Sequence, residues 1–205
     1  KVAIEGGVRI SVAPAFAQLL MRGLIPTLRT AHPQLNVAID GSTARADLSK
    51  GEADIALRMM KPAEPDLVAR RAFECNWFVY ASQNYLAANG KPKTHDQLSQ
   101  HALVLYAEIL HAAPPVRWLE SYKAKARATT RVDSLEIACQ AAVADSGVAV
   151  LPAFVGDAQP TLARVFPDAV SLNTGWVVYH ACVRDNTRVR VQENGISTLD
   201  VSALS

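Results

Sequence analysis

Apolar and polar positions along the chain switch repeatedly between the period of a strand and that of a helix. Val8–Val12 is a β-branched run and predicts a strand. Pro14 then opens a segment with Phe16, Leu19, Leu20, Leu24 and Leu28 at helical spacing. After His32–Pro33, Leu35, Val37 and Ile39 alternate as in a half-buried strand. Gly41-Ser42-Thr43 makes a loop entering a short helix that ends near Gly51, and Asp54–Arg58 is a third strand. Strand, helix, strand, helix, strand in that order implies right-handed crossovers and a parallel sheet covered on both faces. The fold class predicted is therefore α/β.

Pro62 and Pro65 punctuate a loop, after which Trp77–Ser82 begins a second region of the same alternation. Thr94 and Gln97 fit a capping box, Ala102–Tyr106 a buried strand, and Thr129–Val132 a strand leading into a helix that starts near Ser134. Glu136 stands three residues after Asp133, which makes Asp133 the expected cap; Gly147 is expected to end that helix before strand Val148–Leu151. Trp176–Val183 and a helical pattern through Val189, Ile196 and Leu199 are too short for a third domain and are expected to return to the first. Two lobes follow: residues 7–73 with 183–205, and residues 77–175, joined by crossover segments 74–76 and 176–182.

Composition narrows the function classes. Half of the 205 residues are hydrophobic and a fifth are charged, enough to bury a core without staples. Ala102–Tyr106 and Val148–Leu151 are among the longest apolar stretches, far short of the roughly 20 residues that cross a bilayer. Lys1 does not begin a signal-peptide pattern. Cys75, Cys139 and Cys182 form no CxxC pair and lie in apolar neighbourhoods, the setting of buried free thiols in a reducing compartment, so a cytoplasmic location is expected. A net charge of +2 is too mild for a DNA footprint. The basic stretch Arg117, Lys123, Lys125, Arg127 and Arg131, interleaved with Trp118 and Tyr122, reads as a solvated face.

Catalytic chemistry finds no constellation. His32, His95, His101, His111 and His180 show neither HxxxH nor HExxH spacing, so no metal is expected. Ser11 and Ser82 lack a GxSxG setting, and Gly6-Gly7 precedes a strand instead of linking a strand to a helix. Cys75 near Trp77 is read as a buried thiol. Arg58 ends a buried strand and needs a carboxylate or ligand partner, a structural ion pair with an acid such as Asp40 or Asp47 being expected. No enzyme activity and no cofactor are predicted.

The ordered segments resemble the regulatory domain of LysR-type transcriptional regulators. The matching stretches are Val8-Arg9-Ile10-Ser11 with Pro14 and Phe16, Leu24-Ile25-Pro26, His32-Pro33, Asp47-Leu48 and Gly51-Glu52-Ala53-Asp54-Ile55-Ala56-Leu57-Arg58. Further on come Tyr80-Ala81-Ser82, Tyr85-Leu86-Ala87, Asp133-Ser134-Leu135 and Gly147-Val148-Ala149-Val150-Leu151-Pro152. The resemblance implies two Rossmann-like subdomains joined by two crossing strands, similar to type II periplasmic binding proteins. It implies a small-molecule effector in the interlobe cleft and a homodimer through the helix of Phe16–Arg29, whose Leu19, Leu20, Met21 and Leu24 are expected to cover the sheet and still face outward. A higher oligomer is implied for the full-length regulator. DNA is implied to be bound only through an N-terminal helix-turn-helix of about 90 residues, for which Lys1–Gly7 provides no recognition helix. A periplasmic solute receptor of the same fold is the alternative. Two positions depart from the family: Ala15 stands where Ser or Thr often holds an acidic effector, and Asp133 where Asn is frequent.

Parallel sheets bind ligands at the carboxyl ends of their strands, where helix N-termini point N–H groups outward. The element order therefore places Pro14, Ala15 and Phe16, with Ser42 and Thr43, on one side of the candidate site. Tyr106, Ser134, Pro152 and Phe154 come from the other lobe. Each has a plainer role open to it, Ser134 as a helix-start hydroxyl, Phe16 and Phe154 as core. An effector with one acidic or carbonyl group and an apolar body fits the mixture.

Overall fold

The structure, a computed structural model, describes residues 6–42, 46–107 and 113–197. Thr43, His111 and Leu199 lie outside the described residues. The chain divides into two compact units, with boundaries between Glu74 and Cys75 and between Asn173 and Thr174.

In the first unit, strand β1 (Gly6–Val12) pairs in parallel with β2 (Leu35–Asp40) and β3 (Ile55–Arg58). Helix α1 (Pro14–Ala31) connects β1 to β2; Pro14 sits in its first turn, where a missing N–H costs nothing. Leu19, Leu20 and Leu24 are buried, leaving Met21, 55% exposed, as the outward member of the expected stripe. Leu24 packs on helix α6 (Thr187–Ser197), where Gly195 admits it so closely that a Cβ would lie 2.4 Å from Leu24 Cδ1.

No helix fills residues 46–51, where one was expected; the chain turns instead. Asp47 Oδ1 accepts from the Ser49 and Lys50 N–H groups at 3.0 and 3.2 Å, and Gly51 takes a positive φ of 69°. A side chain that captures local donors competes with the helical ladder. Leu48 and Ala53 still bury against Ala56 and Val178.

Strand β4 (Leu67–Ser82) begins ten residues before the expected Trp77, and β9 (Ser171–His180) pairs antiparallel with β3. Both strands cross a unit boundary. The hydrogen-bonded order is thus one path, β2-β1-β3-β9-β4, continued by β7 (Val148–Pro152), β5 (Ala102–Tyr106) and β6 (Ala128–Val132), with β8 (Leu162–Arg164) on β4. The purely parallel sheet expected in each region is instead mixed. Pairs β5–β6 and β5–β7 are parallel, whereas β4 meets β7 and β8 antiparallel, which requires no crossover helix.

Helix α2 (Gln83–Asn89) is capped by Ser82 Oγ, which accepts from Tyr85 N at 2.9 Å. The expected capping box at Thr94 is only half formed: a 3₁₀ turn spans His95–Gln100, Thr94 makes no side-chain cap, and Gln97 Oε1 reaches past it to Lys93 N at 2.6 Å. Helix α3 (Pro114–Glu120) leads towards β6. Helix α4 (Leu135–Val143) is capped by Ser134, whose Oγ accepts from Ile137 N at 3.2 Å, and not by Asp133, which is exposed one residue too early. Its left-handed terminal residue is Asp145, φ 60°, and not Gly147. Ser82 Oγ donates to Asp145 Oδ1 and holds that turn.

His101 is buried, and Tyr85 ties it in place: the phenol accepts from Ala102 N at 2.9 Å and is 3.3 Å from His101 Nδ1. Burial, with a contribution from Arg127, holds its pKa below the ordinary value. The neutral ring therefore belongs to the folded state. Above the unfolded value of about 6.5 both states are neutral and stability is complete; as pH falls below it the unfolded chain takes the proton first, and stability declines. Urea midpoints measured from pH 7.5 to 5 are expected to fall, and the slope to flatten in His101→Gln. An equal slope in both proteins would remove His101 as the cause.

Candidate functional site

Parallel pairing places the carboxyl ends of β1, β2 and β3 on one edge of the first unit's sheet. There Ala13 O accepts from Phe16 N and Ala17 N, both at 3.0 Å, and no side chain caps α1. Ala15 is buried and Pro14 half-buried. Phe16 is core, its ring 5.9 Å from that of Phe73. Ser42 is exposed, and its N–H donates to Asp40 Oδ1 at 3.1 Å. The loop after β2 reaches α1's first turn, since a Cβ on Gly41 would stand 3.7 Å from Ala17 Cβ. Arg58 donates to the main-chain carbonyl of Ala46 at 2.9 Å. Asp40 serves Ser42, and Asp47 pairs with Lys50 at 3.2 Å.

The second unit repeats the arrangement with β5, β6 and β7. Tyr106, at the end of β5, is buried and donates to Val150 O at 2.9 Å. Burial pushes its phenol pKa up, so this hydroxyl stays a donor. Pro152 ends β7 and begins the short helix α5 (Ala153–Gly156), within which Phe154 is buried. Ser134 stands at the end of β6, its hydroxyl already accepting from Ile137 N. Ser134→Ala is expected to cost about 1 kcal/mol of stability through the lost cap; chemical denaturation would show it, and an unchanged midpoint would mean that another group caps α4.

Of the nominated residues, the structure gathers Pro14, Ala15, Phe16 and Ser42 on the first edge, and Tyr106, Ser134, Pro152 and Phe154 on the second. Several are engaged in core packing or capping. Sequence reasoning missed Arg131 and Glu136. Arg131, read as part of a solvated face, donates to Tyr106 O at 3.0 Å and to Glu120 Oε1 at 2.6 Å. Burial raises the Glu120 pKa, but hydrogen bonds from Arg131 and Lys123 outweigh it and hold the carboxyl below its ordinary value. Glu136 lies in the first turn of α4, and its Oε1 is buried without a hydrogen-bond partner. No local signal marks either contact, since β6 is exposed from Ala128 through Arg131 and Glu136 is one of several acids in the chain.

Elsewhere, a groove of about 410 Å³ runs along the amino-terminal halves of β1 and β2, beside Arg9 and Asp54 and away from the strand ends. Among the described residues no three His, Cys, Asp or Glu side chains gather as a metal site, and no helix is long and apolar enough to cross a membrane. Cys75 and Cys139 are buried, and burial pushes the Cys75 thiol up to about 12. Cys182, expected to be buried, is exposed in the 3₁₀ turn Ala181–Val183, its sulfur 2.9 Å from His180 Nδ1.

An uncharacterized HTH-type transcriptional regulator of Haemophilus influenzae is 29% identical over 157 residues, 74% of this chain and 54% of that protein. The HTH-type transcriptional regulator CrgA of Neisseria meningitidis serogroup C is 27% identical over 104 residues, 51% of this chain and 35% of CrgA. The chain thus spans about half the length, or less, of these relatives. The solved regulatory domain of CrgA, a LysR-type transcriptional regulator from Neisseria meningitidis, has a TM-score of 0.79 at 22% identity, covering 98% of this chain and all of that one. That likeness carries the fold, of the type II periplasmic-binding-protein kind. The comparisons lend no support to a periplasmic receptor. A model of the LysR substrate binding domain matches residues 3–191, nearly the whole chain, and the chain belongs to that family of transcriptional-regulator domains.

Proposed function

We propose that this chain is the effector-sensing domain of a LysR-type regulator. A small molecule is taken at the carboxyl ends of the parallel strands, and its binding modulates DNA recognition by a helix-turn-helix that the same polypeptide carries elsewhere. The observation that carries this reading is the family match over residues 3–191, in a chain whose units each collect polar groups at a parallel strand edge. A ligand that prefers one arrangement of the domain shifts its population by no more than that difference in affinity.

A thermal-shift screen of small metabolites tests the reading, since a ligand that binds only the native state raises its stability. With a hit in hand, Ser42→Ala and Ser134→Ala are each expected to weaken binding by about 0.5–1.5 kcal/mol, the worth of a neutral hydrogen bond. Unchanged affinity in both, measured by calorimetry on folded protein, would show the site to be elsewhere. The regulator is further proposed to assemble as a homodimer through the first unit, with exposed Met21 of α1 at the contact. Sedimentation equilibrium is expected to show dimer at tens of micromolar, about 6 kcal/mol of association; monomer alone at that concentration would contradict it.

A further inference from the structure

We propose that Glu136 sets what the effector must carry: an ammonium or amide N–H donor, presented to its carboxylate beside an apolar body. This rests on the reading that the effector is taken at the carboxyl edge of the second unit's strands. Helix α4 starts directly after β6, so Glu136 stands at that edge. Its Oε1 has no access to solvent and no hydrogen-bond partner. The other buried unpartnered atoms among the described residues are the indole N–H of Trp77, the hydroxyl of Tyr179 and the amide of Gln192, so Glu136 alone offers an acidic acceptor.

Two other acids of this unit, Glu120 and Asp157, are satisfied within the fold. Glu120 takes Arg131 and Lys123, each at 2.6 Å, and Asp157 takes Arg164 and Tyr80. Among the described residues, the groups whose ionisation its charge opposes are the Tyr106 phenol, pushed up by burial first, then by Cys139 and by Glu136, and the Cys139 thiol, pushed up by burial and then by Glu136. The Tyr106 hydroxyl gives its proton to Val150 O.

A desolvated carboxylate oxygen without a donor is costly. The helix N-terminus eases the charge without supplying the missing bond. A ligand donor would supply it. Ile137, the next residue, is 50% exposed and offers an apolar neighbour in the same turn. A ligand whose only polar group is a carboxylate would meet like charge here, which narrows the acid-or-carbonyl effector expected from the sequence.

Phenethylamine, phenylacetamide and phenylacetate share a body and differ in the head group, and titration calorimetry of the three against wild type, Glu136→Gln, Glu136→Ala and Ser134→Ala tests the assignment. Phenethylamine is expected to bind wild type more tightly than phenylacetate does, and to lose ten-fold or more in Glu136→Gln. Phenylacetamide is expected to survive Glu136→Gln and to weaken in Glu136→Ala. Equal or tighter binding of phenylacetate to wild type, amine affinity indifferent to residue 136, or no binding by any of the three overturns the inference. Phenylacetate binding that weakens in Ser134→Ala but not in the Glu136 variants would leave the effector-sensing reading standing while removing this one.

Discussion

Replacing Gly147 by alanine is expected to lower the stability of the protein by about 3 kcal/mol, the range of a forced backbone clash joined to an unfavourable dihedral. Gly147 has φ 144°, a conformation that side-chain-bearing residues rarely adopt. A Cβ there would lie 2.4 Å from the Ala102 carbonyl oxygen and 2.7 Å from its carbon. Those atoms are backbone at the start of β5, which is held on both sides by β6 and β7 and has little room to retreat. With a urea m-value of about 2 kcal/mol/M the midpoint would fall by roughly 1.5 M. Gly7→Ala is the control, because nothing lies within 4 Å of its Cβ position. Equal midpoints for Gly147→Ala and wild type would mean that β5 and β7 can part without cost.

Asp157→Ala is expected to cost about 2 kcal/mol, most of it from a hydroxyl stranded in the core. Tyr80 is 1% exposed and donates to Asp157 Oδ1 at 2.8 Å. Its phenol pKa is raised by burial first and by Asp157 next, so it remains a proton donor throughout the neutral range. Arg164 also binds the carboxylate, Nε to Oδ1 at 2.9 Å, while its guanidinium carbon lies 3.7 Å from the centre of the Phe78 ring. The Arg164 side chain is 40% exposed, so water screens its charge and the ion pair adds little. For a chain of this size the loss corresponds to a fall of about 4–8 °C in Tm. Tyr80→Phe removes the stranded hydroxyl, and the double variant is expected to recover part of the deficit; strict additivity would show that Tyr80 and Asp157 are not coupled.

Much of the element order was legible from residue pattern alone. Ala102–Tyr106 and Val148–Leu151 are strands because a continuous apolar run bounded by turn residues has one economical use in an α/β fold, and Val8–Val12 is one because its β-branched Val8, Ile10 and Val12 recur at every second position. Helix α1 is legible from the spacing of Phe16 to Leu28. The family, too, was carried by local segments in order. What failed was decided by competition between neighbours. The expected helix before Gly51 lost to Asp47, whose carboxylate captured the donors of Ser49 and Lys50. The first half of β4 was hidden because Arg70, Arg71, Glu74 and Asn76 leave only Phe73 and Cys75 to alternate.

At the candidate site, the sequence determined which residues stand at the ends of parallel strands, since chain order and crossover handedness leave few alternatives. Tertiary structure alone decided what those side chains do. Ser134 replaced Asp133 as the cap because its hydroxyl, one residue later, is the one within reach of Ile137 N. Gly147 is needed for the approach of Ala102 and not for ending a helix, a role that Asp145 fills with Ser82. Phe16 and Phe154 went into the core, Arg131 stayed exposed while also holding Glu120 and Tyr106 O, and Glu136 was left with a buried oxygen unmatched. Strand periods depend on neighbours two to four positions away, whereas the satisfaction of a polar atom depends on groups brought in from distant parts of the chain.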